Sequence, residues 1–200
     1  LKDLGEAGCN MLIHNSRQRE FHDSAAETVE DAISEFRKTL DTEETKALIS
    51  NIWEFELQPL CKLNNSVDSI VELLHDFLQS TEPKTVIVNS DNKIEEDDAL
   101  KTGFNVVIGG DSLGRGLTIP KLQTVFYSRT SKSPQADTLW QHARMFGYDR
   151  RLEFLRIFMP GDVLKTFHEV HKGNEAIKRQ LSNNPNIDEI NIDLDSSVRP

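Results

Sequence analysis

Two stretches of the chain concentrate residues able to handle phosphate. GGDSLGRGLTIP (109–120) places four glycines, Ser112, Arg115 and Thr118 between two apolar runs, FNVVI and VFY. Glycine disfavours both helix and strand, so this stretch is a loop. Freed backbone N–H groups and a guanidinium are suitable donors for phosphate oxygens. A plain glycine-rich turn is the competing reading, because neither a P-loop pattern nor GxGxxG is present. The second stretch is QHARMFGYDRR (141–151). Gln141 and Arg144 lie one turn apart on a helix that breaks near Gly147, with Arg150 and Arg151 beyond the break. Arginines so grouped either clamp a polyphosphate or pair with surface carboxylates.

These residues need elements to hold them. NMLIH (10–14), TVIVN (85–89), FNVVIG (104–109), TVFYS (124–128) and FLRIFM (154–159) are short and mostly continuous apolar runs. Such runs suit strands buried on both faces of a parallel sheet. Three helices are expected over 21–80. The first has Ser24 and Glu27 in capping-box spacing and Ala25, Val29, Ile33, Phe36 and Leu40 on one face. The second covers about 43–58, with Leu48, Ile52 and Phe55 on one face, and Pro59 ends it. The third uses Val67, Ile70, Val71, Leu74, Phe77 and Leu78. A helix over about 134–147 starts at Pro134, and another follows Pro160-Gly161-Asp162 with Val163, Phe167, Val170, Ile177 and Leu181 inward.

Strands separated by helices give an α/β fold: one domain over 1–200, a helical insertion at 21–80 and a polar tail at 183–200. Within the tail, Ile190, Ile192 and Leu194 alternate as in an edge strand. In such sheets ligands bind where loops leave the carboxyl ends of the strands. HNSR (14–17), NSDN (89–92), GGDSLGRGLTIP and SRTSKS (128–133) all fall there.

Composition narrows the partners. The 200 residues carry a net charge of −10, which argues against a broad basic nucleic-acid surface. The segment 115–156 is the exception. It holds Arg115, Lys121, Arg129, Lys132, Arg144, Arg150, Arg151 and Arg156 against Asp137, Asp149 and Glu153. No apolar run is long enough to span a membrane, and no signal peptide pattern opens the chain. Cys9 and Cys61 lack metal or disulfide spacing, which points to reducing cytoplasm. The first residue is Leu, as expected of a piece of a longer protein.

The order of these motifs resembles the C-terminal RecA-like lobe of superfamily-two helicases. MLIHNS resembles the motif IV strand. Gly110, Asp111, Arg115, Gly116 and Thr118 take motif V positions, with Gly110 where a Thr is usual and Thr118 where an Asp is usual. QHARMFGY resembles motif VI, which carries the arginine finger. RGLTIPKLQTVFYSRTS followed by DTLWQHARMFGY is similar, more narrowly, to the Z1 domain family of endonuclease- and helicase-related proteins. The likeness is close over about 104–159 and loose over 10–104.

The resemblance implies roles residue by residue. Arg144, Arg150, Arg151 and Gln141 would act in catalysis, with one of the arginines as the finger. Gly116, Leu117 and Thr118 would face the nucleotide. His14, Asn15, Ser16, Gly110, Asp111, Ser112 and Arg115 would meet nucleic acid. ATP and Mg2+ would bind only together with a preceding RecA-like lobe, which supplies the P-loop lysine, the magnesium carboxylate and the base. The implied partners are that lobe, DNA and other restriction or repair subunits; the chain alone hydrolyses nothing. The alternative is a non-catalytic DNA- or protein-binding module that keeps the fold. A nuclease site is a third reading, from Asp76 and Glu82-Pro83-Lys84, which the proline opposes. His168 and His171 lack a third metal ligand, and Trp53 and Trp140 read as packing residues rather than base-stacking platforms, with Trp140, beside Gln141, the better exception.

Overall fold

The computed structural model describes residues 8–16, 18–61, 65–89, 100–110, 119–129, 135–143 and 152–183. Strand β1 (Cys9–His14) is followed by α1 (Arg19–Thr39) and α2 (Glu43–Asn51). A π-helical segment (Ile52–Leu57), α3 (Gln58–Cys61) and α4 (Val67–Ser80) come next. Then follow β2 (Lys84–Val88), β3 (Phe104–Gly109), β4 (Leu122–Tyr127), α5 (Ala136–Ala143), β5 (Arg156–Phe158) and α6 (Gly161–Asn183). The five strands form one sheet in the order β2-β3-β1-β4-β5, every pair parallel. The continuous apolar runs are explained by this arrangement, because both faces of the sheet carry helices.

Alternation along the strands separates two cores. Leu12, Val107, Val125, Val88 and Tyr127 face one layer, with Leu100, Ile119 and Val163 of α6. Met11, Ile13, Val106, Ile108 and Ile87 face the other, under Ala25, Ala26 and Val29 of α1. The helices of the 21–80 stretch have a third core of their own: Leu40, Ile49 and Val71, flanked by Phe36, Val67, Ile70, Leu74 and Leu78. Helix α1 belongs to two of these cores. Its first half lies on the sheet and its last turns lie in the helical cluster. Truncating a fully buried residue such as Leu12 to alanine costs about 2–5 kcal/mol.

Three elements depart from the sequence expectation, each for a local reason. Helix α1 begins at Arg19, so Ser24 is an interior residue whose carbonyl accepts from Thr28 Oγ1 rather than a cap. The turn ahead of it accounts for the earlier start: Asn15 Oδ1 accepts from the Ser16 N–H, and Ser16 Oγ accepts from the Gln18 N–H. Pro59 does not end its helix; it sits inside α3. The π-helical turns just before it shift the pattern to i−5, with the Gln58 N–H donating to Trp53 O. The wider turn accommodates a residue that lacks an N–H and crowds the carbonyl four back. Finally, Leu48, Ile52 and Phe55 are 55%, 41% and 76% exposed, while Ile49 and Trp53 are buried. Apolar residues occur there as adjacent pairs, so the pattern fits either face, and packing selects Ile49 and Trp53.

Helices α2 and α4 start at the expected kind of residue. Thr42 Oγ1 accepts from the Thr45 N–H, and Ser66 Oγ accepts from the Ser69 N–H. β5 is three residues, shorter than the FLRIFM run, because residues 152–154 form a turn. The expected edge strand at 190–194 and the ends of the expected 134–147 helix lie outside the described residues. Among the described residues, no helix is long and apolar enough to cross a membrane.

The amino end of the sheet is closed by buried polar groups. Asn10 and Asn105 are register partners on β1 and β3. Asn10 Nδ2 donates to the carbonyls of Leu100 and Pro120, and Asn105 Nδ2 donates to Asn10 Oδ1 and Thr102 O. Two asparagines thereby tie three strand-entry segments together. Gly8 precedes them at φ +73°, and a Cβ there would lie 2.4 Å from Lys101 O, so only glycine fits.

Candidate functional site at the carboxyl edge of the sheet

The strands end in one row at the opposite edge. His14 of β1 is the register partner of Gly109 on β3 and of Tyr127 on β4, and Gly109 is the partner of Val88 on β2. The chain leaves β1 toward β2 on one side, whereas it leaves its neighbour β4 toward β5 on the other. That divergence between adjacent strands is the topological switch point at which open α/β sheets form ligand crevices. Gly109 and Gly110 are buried beside it.

His14 is the centre of this row. It is fully buried, and among the described residues neither ring nitrogen has a hydrogen-bond partner. Its ring stacks on Tyr127 with centroids 4.8 Å apart and planes at 13°, and it lies 4.8 Å from the His142 ring. Burial, reinforced by His142 and the Arg129 charge, pushes its pKa down to about 3, so His14 is uncharged at neutral pH.

Helix α5 is attached to this row through His142, itself 3% exposed. Its Nδ1 is 2.8 Å from Tyr127 Oη, and Arg129 Nη1 lies 3.3 Å from its Nε2. A guanidinium can only donate, so Nε2 is the acceptor. With that nitrogen accepting, the neutral ring carries its proton on Nδ1 and donates it to the Tyr127 oxygen. On the far side, Leu139 of α5 packs with Val170 and Phe167 of α6, and Phe167 meets Tyr127 edge-on at 5.6 Å. Two residues of β4 and its exit, Tyr127 and Arg129, thus fix the last turn of the helix that leads to Arg144.

The residues singled out by sequence fall into three groups. His14, Gly110 and Gln141 come to this edge, with His14 buried beneath it and Gln141 half-buried on α5. Asn15 and Ser16 are also there, but their side chains serve the chain itself: Asn15 Nδ2 donates to Phe21 O, and Ser16 Oγ holds the Gln18 N–H. Asp111, Ser112, Arg115, Gly116, Leu117, Thr118, Arg144, Arg150 and Arg151 lie outside the described residues. Of the nuclease candidates, Glu82 pairs with Arg37 at 3.6 Å on an exposed surface. Among the described residues, no group of three or more His, Cys, Asp or Glu is placed to hold a metal. Burial pushes the Cys9 thiol pKa up, which disfavours its reactive thiolate.

Sequence reasoning did not single out Tyr127 or His142, and counted Arg129 only as part of a basic segment. The available signal was a Tyr at the end of a strand run and a His one residue past Gln141. The Z1 domain family model matches residues 2–199, and the chain belongs to that family. No curated protein and no solved structure matches it.

Proposed function

We propose, with membership of the Z1 domain family as the premise, that the chain is the second RecA-like lobe of a DNA-acting ATPase of a restriction or repair system. It would work against a preceding lobe that holds the nucleotide. The observation that carries this reading is the convergence at one edge. Three strand ends meet at the switch point, and the QHAR helix is fixed to them through His142. Donors at this edge suit phosphate oxygens: a guanidinium, an uncharged imidazole and the glycines that end β3.

In this reading ATP supplies the phosphoryl group and its Mg2+ is held by the preceding lobe. The residues of this chain bind and orient. Arg144 directly follows the last residue of α5 and brings a guanidinium to the transferring phosphate, a contribution of about 10³–10⁵ in rate in comparable systems. Gly116 to Thr118 line the nucleotide side, and Gly110 to Ser112 with Arg115 meet the DNA backbone.

The test is DNA-stimulated ATP hydrolysis by the intact protein carrying Arg144→Ala. A loss of about a thousandfold or more is expected. Unchanged turnover would remove the finger from this chain. DNA binding by the intact protein with no DNA-stimulated turnover at all would identify the binding-module reading.

A further inference from the structure

Helix α2 and the π-helical segment after it carry apolar residues in adjacent pairs, and only one of each pair turns inward. Ile49 and Trp53 are buried, whereas Leu48, Ile52 and Phe55, with Leu60 on α3, are between 41% and 76% exposed. Leu48, Ile52 and Phe55 follow at helical intervals, and Leu60 comes about one turn after Phe55, where the helix is widened to i−5 bonding. Scattered apolar residues on a surface are ordinary, but four large ones along one helical stretch mark a contact site. The stripe borders an open part of the sheet. Arg156 Nη2 of β5 donates to Glu56 O at 2.8 Å. Phe158 lies two residues on, on the same face of the strand, beside its register partner Phe126 on β4. Helix α1 covers β1, β2 and β3 on that face, and Phe126 and Phe158, outside this cover, are 44% and 47% exposed.

Charge decides what can lie there. The stretch 41–61 holds Asp41, Glu43, Glu44, Glu54 and Glu56 against Lys46. All five acidic residues are exposed, and Lys46 is paired with Glu43 at 3.9 Å. A second copy docked by two-fold symmetry would set these carboxylates against themselves. Nucleic acid and anionic lipid are repelled in the same way. The chain's own polar tail carries Asp188, Glu189, Asp193 and Asp195 against Arg199, so it has the wrong sign as well. We propose that this surface of the helical insertion is a docking site for a cationic amphipathic helix of a protein partner. Apolar side chains at helical spacing would lie along Leu48, Ile52, Phe55 and Leu60, and Lys or Arg on the flanks would meet Glu54 and Glu56. The site is independent of the carboxyl edge, so the outcome of the ATPase test leaves it untouched.

The experiment titrates the intact chain with labelled helical peptides of about five turns, followed by fluorescence anisotropy at low and high salt. Every peptide carries the same Leu and Phe stripe, flanked by Lys in one series and by Glu in the other. The Lys series is expected to bind about tenfold tighter or more, with an advantage that shrinks in high salt. Ile52→Ser combined with Phe55→Ser is expected to weaken Lys-series binding about tenfold or more. Glu54→Lys combined with Glu56→Lys is expected to erase the preference between the series. Urea midpoints separate loss of docking from loss of fold. Should the paired serine variant fail to fold, Phe55→Ser alone and the charge reversal decide in the same terms. Equal affinity for the two series, wild-type affinity in the serine variant, or no binding by any Lys peptide would overturn the proposal. So would a dimer of the chain in sedimentation velocity that Phe55→Ser disrupts, because the stripe would then belong to a second copy.

Discussion

The two ends of the sheet treat buried polar groups in opposite ways. At the amino end, the Asn10 amide nitrogen reaches two carbonyls and its oxygen accepts from Asn105. At the carboxyl end, His14 is just as buried and makes no hydrogen bond through its ring among the described residues. Both residues sit on β1, four positions apart and on the same face. The strand and the face are therefore the same, and the difference lies in whether the buried group is satisfied. A satisfied network rigidifies and fixes register. An unsatisfied group at a switch point keeps capacity for a partner at a standing cost in stability.

The sharpest way to break this contrast is to remove Asn10. Asn10→Leu leaves the Leu100 and Pro120 carbonyls without this donor and removes one of the two hydrogen bonds of the Asn105 amide, and is expected to cost about 3–4 kcal/mol in urea unfolding. A cost below about 1 kcal/mol would mean that the amino end is no more committed than the other. Next is Gly8→Ala, where the new Cβ meets Lys101 O and the backbone stays at φ +73°; about 2–3 kcal/mol is expected by the same measurement.

His14 gives a smaller effect, and one that depends on pH. Its folded pKa of about 3 lies below the ordinary value of 6.5, so the unfolded chain takes the proton first as pH falls. Stability is therefore undiminished above the ordinary value and is lost as pH drops toward the folded one, about 2 kcal/mol by about pH 5. His14→Phe keeps the stack on Tyr127, is expected to abolish that part of the acid-side slope, and gains about 1 kcal/mol near neutral pH. A mutant whose stability-versus-pH curve parallels wild type would show that His14 is hydrated or paired in solution. The smallest effect belongs to Phe55→Ser, on the exposed face of the π-helical segment, with a change of less than about 0.5 kcal/mol.

Legibility from sequence followed the same division. FNVVIG reads as a strand because every residue in it is apolar or small apart from Asn105, and β3 spans those six residues. The sheet and its carboxyl edge follow from such runs and the polar loops after them. The start of α1 does not, since Asn15 and Ser16 set it through turn bonds that resemble loop chemistry in sequence. Nor does the buried face of the second helix, where Leu48-Ile49 and Ile52-Trp53 offer two equivalent stripes. At the site, His14 is legible as a strand-end residue but not as a buried ring. Tyr127, Arg129 and His142 are separated by up to fifteen positions and meet only once α5 has packed on α6. The Asn10–Asn105 pair spans ninety-five positions and carries no local signal.

Membership of α1 in two cores has a mechanical consequence. A helix of this length extends about 31 Å, at about 1.5 Å per residue. Its first turn is tied to the His14 exit and its last to the separate helical cluster. Its amino end lies at the carboxyl edge of the sheet. By that geometry a tilt of about 5° at the sheet edge carries the cluster of α2 and α4 through nearly 3 Å, about half the pitch of one helical turn. Any tilt of α1 at the edge thus reaches the helical cluster as a larger displacement.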